Sequence, residues 1–268
     1  MIRGLYTAAT GMKAEMARTD VISNNVANAN TIGFKKDRAI FKAYPEMNIH
    51  RFFDTVEIAP HKNIDKRPFI GHLGTGVFLD EVNVKLSQGS IRTTGNAFDI
   101  SISDKVTSGQ SDGNYFCHMF EVETPQGIRY TRDGSFTKDA EGFLVTKEGY
   151  FVRGENGRIN IAQGTDFKVS KDGEIFLDGV PVARLSIVRF SSEQQPIKHG
   201  DNLYSGQPQR AQATEYEVLQ ETIEESNVNA VIEMVDLISA FRAYEANQKV
   251  IKAHDELIER AVNDIARI

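Results

Sequence analysis

The amino-acid sequence predicts an α+β fold, in which long N- and C-terminal helices pair as a coiled-coil-like assembly domain and a central, mostly antiparallel β domain lies between them. Three observations predict it: apolar residues recur every seven positions near both chain ends, no Pro or Gly interrupts the last segment, and the middle contains many Asp-Gly and Asn-Gly pairs. The expected segments are an N-terminal helix (1–33), an extended connector (34–70), the β domain (71–210), a return connector (211–228) and a C-terminal helix (229–268).

The N-terminal helix is predicted from a second heptad-like series. Its candidate packing residues are Leu5, Met12 and Val26, spaced in sevens with Thr19 filling the gap, and Ala9 and Met16 lie between them. An asparagine-rich stretch follows and includes Asn24, Asn25 and Asn28. Asparagine is poor inside helices and good at caps and turns, so we expect the helix to end by about Asn30, with Gly33 supplying a backbone angle that other residues adopt poorly.

The connector at 34–70 mixes charged and aromatic residues with three prolines and shows no sustained period. From Gly71 the chain becomes β-like, with strand candidates at 74–79, 82–86, 98–102 and 185–190. Glycine after Asp or Asn supplies the positive φ that tight hairpins need, so the closely spaced pairs from 112 to 179 predict antiparallel hairpins.

The C-terminal helix is predicted from a heptad pattern that is typical of a coiled-coil seam. Apolar positions recur at Ala230, Leu237, Tyr244, Ile251, Ile258 and Ile265, with a second series four residues on at Met234, Phe241 and Val262. Gln248 and Asp255 interrupt the second series, either to fix the register or because they are exposed. Ser226 and Asn227, or Asn229, can cap the helix start.

A helix of this length could span about 60 Å at about 1.5 Å per residue. Globular helices usually run about 8–20 residues, so we expect a partner along its length, although a helix that packs over its own domain fits the same pattern. The N-terminal helix is the expected partner, within one subunit, between subunits, or both.

Composition excludes several classes of protein. The net charge of −6 argues against a general nucleic-acid binder. Cys117 is the only cysteine, which excludes an intramolecular disulfide and a multi-cysteine zinc cluster. No stretch is apolar and long enough for a membrane span, and the first residues lack the apolar core of a cleavable signal peptide.

Enzymatic motifs are weak. Residues 109–113 match Gly-x-Ser-x-Gly, but no parallel α/β pattern surrounds them. The six histidines form no His-x-x-x-His pair, and no phosphate-binding Gly-Lys-Ser/Thr loop occurs. We therefore predict no catalytic residue, no cofactor and no metal. A carbohydrate-binding β module remains an alternative, although the chain contains no Trp.

Several motifs resemble the flagellar axial family of rod, hook and hook-associated proteins. At the N-terminal end these are SNNVAN (23–28) and TIGFK (31–35), which includes Phe34; at the C-terminal end they are ESNVN (225–229), EMV (233–235) and RAYEANQK (242–249). TPQGIRYTRDGSF (124–136), DAEGFLVT (139–146) and GDNLY (200–204) resemble the family's core. The short connector after Phe34 makes the chain most similar to a proximal rod protein, and a polar segment at 104–114 departs from the family pattern.

The resemblance implies a structural subunit of the bacterial flagellar basal-body rod that polymerises through its terminal helices into a torque-transmitting shaft. Its implied partners are copies of itself, other rod proteins and the flagellar type III export apparatus, which would export it to the periplasmic rod without a cleavable signal peptide. A distal rod protein, a hook protein and a peptidoglycan-binding β module are the alternatives. The residues expected to carry subunit assembly are Leu5, Met12, Met16, Asn24, Asn25, Asn28, Gly33, Phe34, Asn227, Asn229, Leu237, Phe241, Tyr244, Gln248, Ile251, Ile258 and Ile265.

Overall fold

Two helices flank a succession of short strands in the protein. The computed structural model describes residues 2–52, 55–59, 62–65, 67–105, 116–161, 166–191, 196–200 and 202–265. Helix α1 spans Ile2–Ala27 and helix α2 spans Ala230–Ile265. The expected end of the first helix is confirmed, because α1 stops inside the asparagine-rich stretch.

Asn229 caps the start of α2. Its side-chain Oδ1 accepts hydrogen bonds from the backbone N–H of Val231 (3.0 Å) and of Ile232 (3.2 Å). These bonds satisfy amides that have no partner inside the first helical turn. Of the cap residues proposed from the sequence, Asn229 therefore has this role.

Between the helices the described residues form strands that are mostly short. In chain order they are β1 (Asp37–Ala43), β2 (Met47–His50), β3 (Thr55–Ala59), β4 (Lys62–Asp65), β5 (Phe69–Leu73), β6 (Val77–Val84), β7 (Ile91–Thr93), β8 (Ile100–Asp104), β9 (Phe116–Thr124), β10 (Gly127–Thr131), β11 (Thr137–Lys138), β12 (Leu144–Val145), β13 (Phe151–Gly154), β14 (Gly157–Arg158), β15 (Phe167–Val169), β16 (Glu174–Leu177), β17 (Val180–Arg184), β18 (Ile187–Ser191), β19 (Ile197–His199), β20 (Leu203–Ser205), β21 (Gln209–Arg210), β22 (Tyr216–Gln220) and β23 (Thr222–Glu224).

The largest sheet is organised around β9, the longest of these strands. β9 pairs antiparallel with β10, β13 and β18, and the sheet continues from β10 through β20 to β19. Smaller antiparallel pairings join β15, β16 and β17, and join β8 to β22 and β7 to β23. The predicted α+β class and mostly antiparallel β domain are confirmed.

The chain divides into two compact units. Unit 1 comprises 1–23, 39–82 and 234–268, and unit 2 comprises 24–38 and 83–233. Unit 2 contains the main hydrophobic core, built from alternating strand positions such as Phe120 and Val122 on β9 and Ile100 and Ile102 on β8. A second cluster includes Cys117, which is buried, as expected for a structural thiol.

Unit 1 contains most of both helices. A Cβ atom built on Gly4 would lie 2.6 Å from Nε2 of His254, and one built on Gly11 would lie 3.0 Å from Nδ2 of Asn247. The contacts advance seven residues along α1 while they retreat seven along α2, so the two helices run antiparallel here. The two glycines permit this close approach because they have no side chain.

Strands also form where the sequence suggested connectors. Within 34–70 lie β1 to β4 and the start of β5, with β2 paired to β5 and β3 to β4. Within 211–228 lie β22 and β23, which carry the buried Tyr216, Val218 and Ile223. β22 and β23 pair with β8 and β7, which lie more than 100 residues earlier in the chain, a relation that local composition does not show.

Candidate functional site

A buried network of charged side chains joins distant segments of unit 2. Lys35 follows α1, Arg132 follows β10, and Glu224 ends β23. The Lys35 ammonium donates to Glu224 Oε1 (2.7 Å) and to the Ser87 carbonyl (2.9 Å). The Arg132 Nε donates to the other carboxylate oxygen of Glu224. The carboxylate therefore holds two cations from two different parts of the chain.

Arg132 extends this network to β8. Its guanidinium donates to Asp104 Oδ1 (3.1 Å) and Oδ2 (3.0 Å), and to the Ile102 carbonyl (2.7 Å). The His118 imidazole hydrogen-bonds the same carboxylate, with 2.7 Å between Nδ1 and Oδ1. We call Lys35, Asp104, Arg132 and Glu224 the buried network.

The buried network has two positive and two negative charges, and their mutual attraction shows in the pKa values. Burial alone would raise the pKa of Asp104, but the charge of Arg132 and the hydrogen bond from His118 outweigh it and lower the pKa to about 2. Burial likewise opposes ionisation of Glu224, yet Arg132 and Lys35 lower the pKa of its carboxyl. Both carboxyls are therefore ionised at neutral pH, as paired buried charges require.

Gly33 fixes the path of the chain into the buried network. Its φ is 70°, and its N–H donates to the Glu224 carbonyl (2.9 Å). A Cβ atom at this position would lie 2.5 Å from the backbone nitrogen of Asp133 and 2.6 Å from the carbonyl carbon of Arg132. The expected special backbone angle is confirmed, and the close approach of a second backbone gives a further reason for glycine.

Asn227 links the N- and C-terminal signatures through backbone atoms. Its Oδ1 accepts from the Lys36 N–H (2.7 Å), and its Nδ2 donates to the carbonyls of Lys85 and Ser87, both at 2.9 Å. One amide side chain thus satisfies three backbone groups from two segments. Replacement by an apolar residue would leave those groups without these partners.

Asn25 makes a similar joint at the end of α1. Its Nδ2 donates to the Asp37 carbonyl (2.8 Å) and to Glu233 Oε2 (3.2 Å), and its Oδ1 accepts from the Asp37 N–H (2.9 Å). Glu233 is also paired with the Lys36 ammonium. Asn25 and Glu233 are buried, so the first turn of α2 is tied to the residues that follow α1.

The predicted assembly residues fall into three groups by burial. Buried are Asn25, Gly33 and Phe34; half-buried are Leu5, Met12, Asn28, Asn227, Leu237, Tyr244 and Ile251; exposed are Met16, Asn24, Asn229, Phe241, Gln248 and Ile258. Ile265 ends α2, and its side chain lies outside the described part of the chain. The buried group belongs to unit 2, where Asn25 and Gly33 make the hydrogen bonds described above.

Phe34 has a particular environment within that group. Its ring lies under the Lys198 ammonium, with 3.7 Å between Nζ and the ring centroid. The same ammonium donates to Asp37 Oδ2 (2.9 Å), so the cation is held by a ring and a carboxylate at once. These contacts bind the segment after α1 to the β19 strand.

One face of α2 carries large apolar side chains that are exposed. Met234, Val235, Ile238 and Phe241 follow the i, i+1, i+4, i+7 spacing of one helix face, and between 50% and 61% of each residue's surface is accessible. We call these four residues the outer face of α2. Apolar patches of this kind mark interaction surfaces in soluble proteins.

The inward face of α2 differs from the predicted seam in its second series. The first series, Leu237, Tyr244 and Ile251, is half-buried, but the residues that accompany it lie three positions on: Ala240 is buried, and Asn247 and His254 meet the glycines of α1. The predicted second series contains Phe241 of the exposed outer face instead. Alanine and polar residues next to glycine were not recognised as packing positions because they are not large and apolar.

The contacts of the buried network and the hydrogen bonds of Asn25 and Asn227 all join segments of one chain. The Gly-x-Ser-x-Gly match at 109–113 and the polar segment after Lys105 lie outside the described residues. In the described part of the chain, no group of three or more Asp, Glu, His or Cys could hold a metal ion, and neither helix is long and apolar enough to cross a membrane.

Sequence reasoning missed the central residues of the buried network. Lys35 and Arg132 lie within the family motifs, but neither was predicted to have a role of its own. Asp104 and Glu224 were not among the predicted site residues. The available signal was the presence of charged residues beside strand segments that are otherwise apolar, such as Glu224 next to Ile223. Buried charges in such positions require partners, but the sequence does not show which ones.

Comparison with known proteins relates the chain to flagellar proteins. Residues 5–35 match the family model described as flagella basal body rod protein, residues 117–177 match the flagellar hook protein FlgE/F/G D1 domain, and residues 219–264 match the flagellar basal body rod FlgEFG protein C-terminal. Lys35, Arg132 and Glu224 each lie in a different one of these matched regions. The buried network therefore joins the three.

Whole-length relatives agree with these matches. The flagellar hook-basal body complex protein FlhO of Bacillus subtilis is 31% identical, over all of both chains. The flagellar basal-body rod protein FlgG of Buchnera aphidicola subsp. Baizongia pistaciae is 33% identical over 97% of this chain and 98% of its own. The flagellar basal-body rod protein FlgF of Caulobacter vibrioides is 32% identical over all of both chains. The predicted rod protein is confirmed, because two of these relatives are named basal-body rod proteins and neither of the two is named a hook protein.

Proposed function

This chain belongs to the family of flagellar basal-body rod proteins, and on that premise we propose how it acts as a structural subunit of the rod. Copies polymerise through their terminal helices into a helical shaft that transmits torque. Neighbours in the shaft are further copies and other rod proteins. Export by the flagellar type III apparatus delivers the chain to the periplasmic part of the rod.

The outer face of α2 is the observation that carries this proposal. Its four apolar side chains are exposed in a single chain, while the adjacent inward face already meets α1. Burial of apolar surface contributes roughly 25 cal/mol per Å², so an exposed row on a long helix is a source of association energy. The surface that receives it belongs to another copy or another rod protein.

The two faces of α2 would then have different roles. The inward face pairs with α1, and the coiled-coil-like pairing foreseen from the heptads begins inside one chain. The outer face makes the contacts between chains. The outer face of one copy meets a different surface on the next, so the contact is heterologous. In the proposed shaft the rotation between copies does not close, and repeated addition produces a helical stack instead of a ring.

The buried network and the hydrogen bonds made by Asn25 and Asn227 have a supporting role. They fix the segments that leave α1 and enter α2 to the folded unit 2. Subunits that share a shaft must present their helix ends in one defined geometry, and a set of satisfied buried charges favours one arrangement over its alternatives.

The proposal is tested by replacing one residue of the outer face in a strain that lacks its own copy of the gene. Phe241→Asp places a charge on the exposed apolar row, whereas Ser239→Asp adds the same charge to an exposed position of α2 outside that row. We expect Phe241→Asp to abolish incorporation into purified basal bodies and motility, with the circular dichroism of the monomer unchanged. Ser239→Asp should swim normally.

The two variants separate assembly from general damage. Normal incorporation of the Phe241→Asp chain would refute the role of the outer face. Equal loss in both variants would show that any charge on α2 is harmful and would refute it as well.

A further inference from the structure

An open cleft lies in unit 2, and no residue of the buried network is among the described residues that line it. Its volume is about 310 Å³, at the lower end of the range of about 300–1,000 Å³ that small-molecule sites occupy. Residues that line it include Thr124, Gln126, Arg129, Tyr150, His199 and Leu203. The cleft is large enough for one compact ligand and too small for a long chain.

The strand register explains why these residues converge. Arg129 on β10 lies opposite Val122 on β9, and Thr131 on β10 lies opposite Leu203 on β20. Residues two apart on a strand share a face, and directly opposite residues share it too. Arg129 therefore projects from the face that carries the buried Val122.

Arg129 is unusual among the arginines of this sheet. Arg153 pairs with Glu121 (3.1 Å) and Arg158 pairs with Glu123 (2.8 Å). Arg129 is half-buried, and its one hydrogen bond among the described residues runs from Nη1 to the Ile128 carbonyl at 3.4 Å. Among the described residues that line the cleft there is neither Asp nor Glu. The fork of the guanidinium is thus available for a planar anion.

The remainder of the cleft suits the body of such an anion. Tyr150 and Leu203 pack against the main hydrophobic core and provide an apolar floor. The Gln126 side chain is exposed and can donate or accept hydrogen bonds. His199 Nε2 lies 2.7 Å from Ser205 Oγ, within hydrogen-bond distance. This contact places the imidazole ring of His199 at the rim of the cleft.

We propose that this cleft binds a small organic carboxylate, with the carboxylate on Arg129 and an apolar or ring-bearing body against Tyr150 and Leu203. An acidic sugar and an acylated amino acid share this chemistry. The inference does not rest on the proposed assembly role, because none of these residues belongs to the outer face of α2 or to the buried network.

Titration calorimetry of the full chain with matched pairs of probes tests the inference. One pair is N-acetylmuramic acid and N-acetylglucosamine, which differ by a carboxylate-bearing group; the other is N-acetylleucine and its amide. We expect the acid of at least one pair to bind about tenfold or more tightly than its neutral partner, as the loss of a charge-assisted contact predicts. The pair that shows the preference identifies the source of the ligand.

Two variants locate the site. Arg129→Gln should remove the preference for the acid, while Arg38→Gln, at an exposed arginine that does not line the cleft, should retain it. No preference in either pair on the unaltered chain overturns the inference without reliance on any variant. It is also overturned if Arg129→Gln binds like the parent, or if both variants weaken binding equally.

Discussion

Replacement of Glu224 by glutamine tests the buried network most directly. The substitution keeps the size of the side chain and removes one negative charge. In the native protein this carboxylate accepts from the Lys35 ammonium (2.7 Å), the Arg132 guanidinium and the Gly89 N–H (2.7 Å). After the change, two buried cations share one remaining carboxylate, that of Asp104.

The expected loss of stability follows from burial. The side chains of Lys35 and Arg132 have 0% of their surface exposed and that of Glu224 has 1%, so water cannot replace the lost partner. Breaking a buried pair by removing one member typically costs about 3–5 kcal/mol. Glu123→Gln is a matched control, because Glu123 and its partner Arg158 are 37% and 45% exposed. An exposed pair contributes about 0–1 kcal/mol.

Unfolding in urea, monitored by hydrogen exchange, measures the difference in stability between the two variants. Exchange of peptides from unit 2 is preferable to a single spectroscopic signal, because a chain with two units need not unfold in one transition. With a denaturant dependence of about 1–3 kcal/mol per M, a loss of about 3–5 kcal/mol lowers the midpoint by about 1–2 M or more. The control should move it by much less.

A double variant distinguishes charge imbalance from other damage at this position. Lys35→Met combined with Glu224→Gln leaves Arg132 and Asp104, which neutralise each other. Residues in one charge network couple by about 0.5–3 kcal/mol, so the double variant should be more stable than Glu224→Gln alone. If Glu224→Gln and Glu123→Gln unfold at the same urea concentration, the buried network does not stabilise unit 2 and the reasoning is refuted.

Two further predictions follow from the same region. Asp104 has its pKa lowered from 3.8 to about 2, so the unfolded chain binds more protons between these values; its stabilisation is complete above about pH 4 and is lost as the pH falls to about 2. Unfolding as a function of pH should show a stronger acid dependence in the native chain than in Asp104→Asn, which keeps the contribution of Glu224, and equal profiles would contradict this prediction. Gly33→Ala should destabilise by about 1–3 kcal/mol or more, since it adds a clash to the strained φ of 70°. Gly95→Ala is the control in thermal unfolding, because Gly95 also has positive φ (76°) but no atom within 4 Å of the added Cβ; equal losses would show that the clash is unimportant.

The two helices could be predicted because their signals are local. Heptad spacing, the absence of Pro and Gly after 229 and the asparagine-rich end of α1 all lie within the segments concerned. The hairpin turns were predictable for the same reason, and Gly157, Gly173 and Gly179, which follow Asn or Asp, all have positive φ. The strands of 37–73 were missed because this segment shows little alternation of apolar and polar residues, although β2 pairs with β5 and β3 with β4 inside it.

The buried network could not be predicted because its members are far apart in sequence. Lys35 and Glu224 are separated by 189 positions, and Arg132 and Glu224 by 92. Each alone is an ordinary charged residue, and only the fold shows that water is excluded from all three. The same reason applies to Asn227, which resembled a helix cap but satisfies backbone groups after α1 and after β6.

The positions of the motif residues separate two physical tasks that the sequence alone combines. Asn25, Gly33, Phe34 and Asn227 were expected to mediate subunit assembly, yet their side chains or backbones are engaged in contacts inside unit 2. A residue that already satisfies buried groups cannot turn to a neighbour without breaking those bonds, each worth about 0.5–1.5 kcal/mol and more when a group is left unsatisfied. The four side chains of the outer face of α2 are apolar and exposed, so no buried hydrogen bond has to break when they contact a neighbour. We therefore expect assembly to be sensitive to the shape and polarity of that face, and the stability of unit 2 to be sensitive to the motif residues.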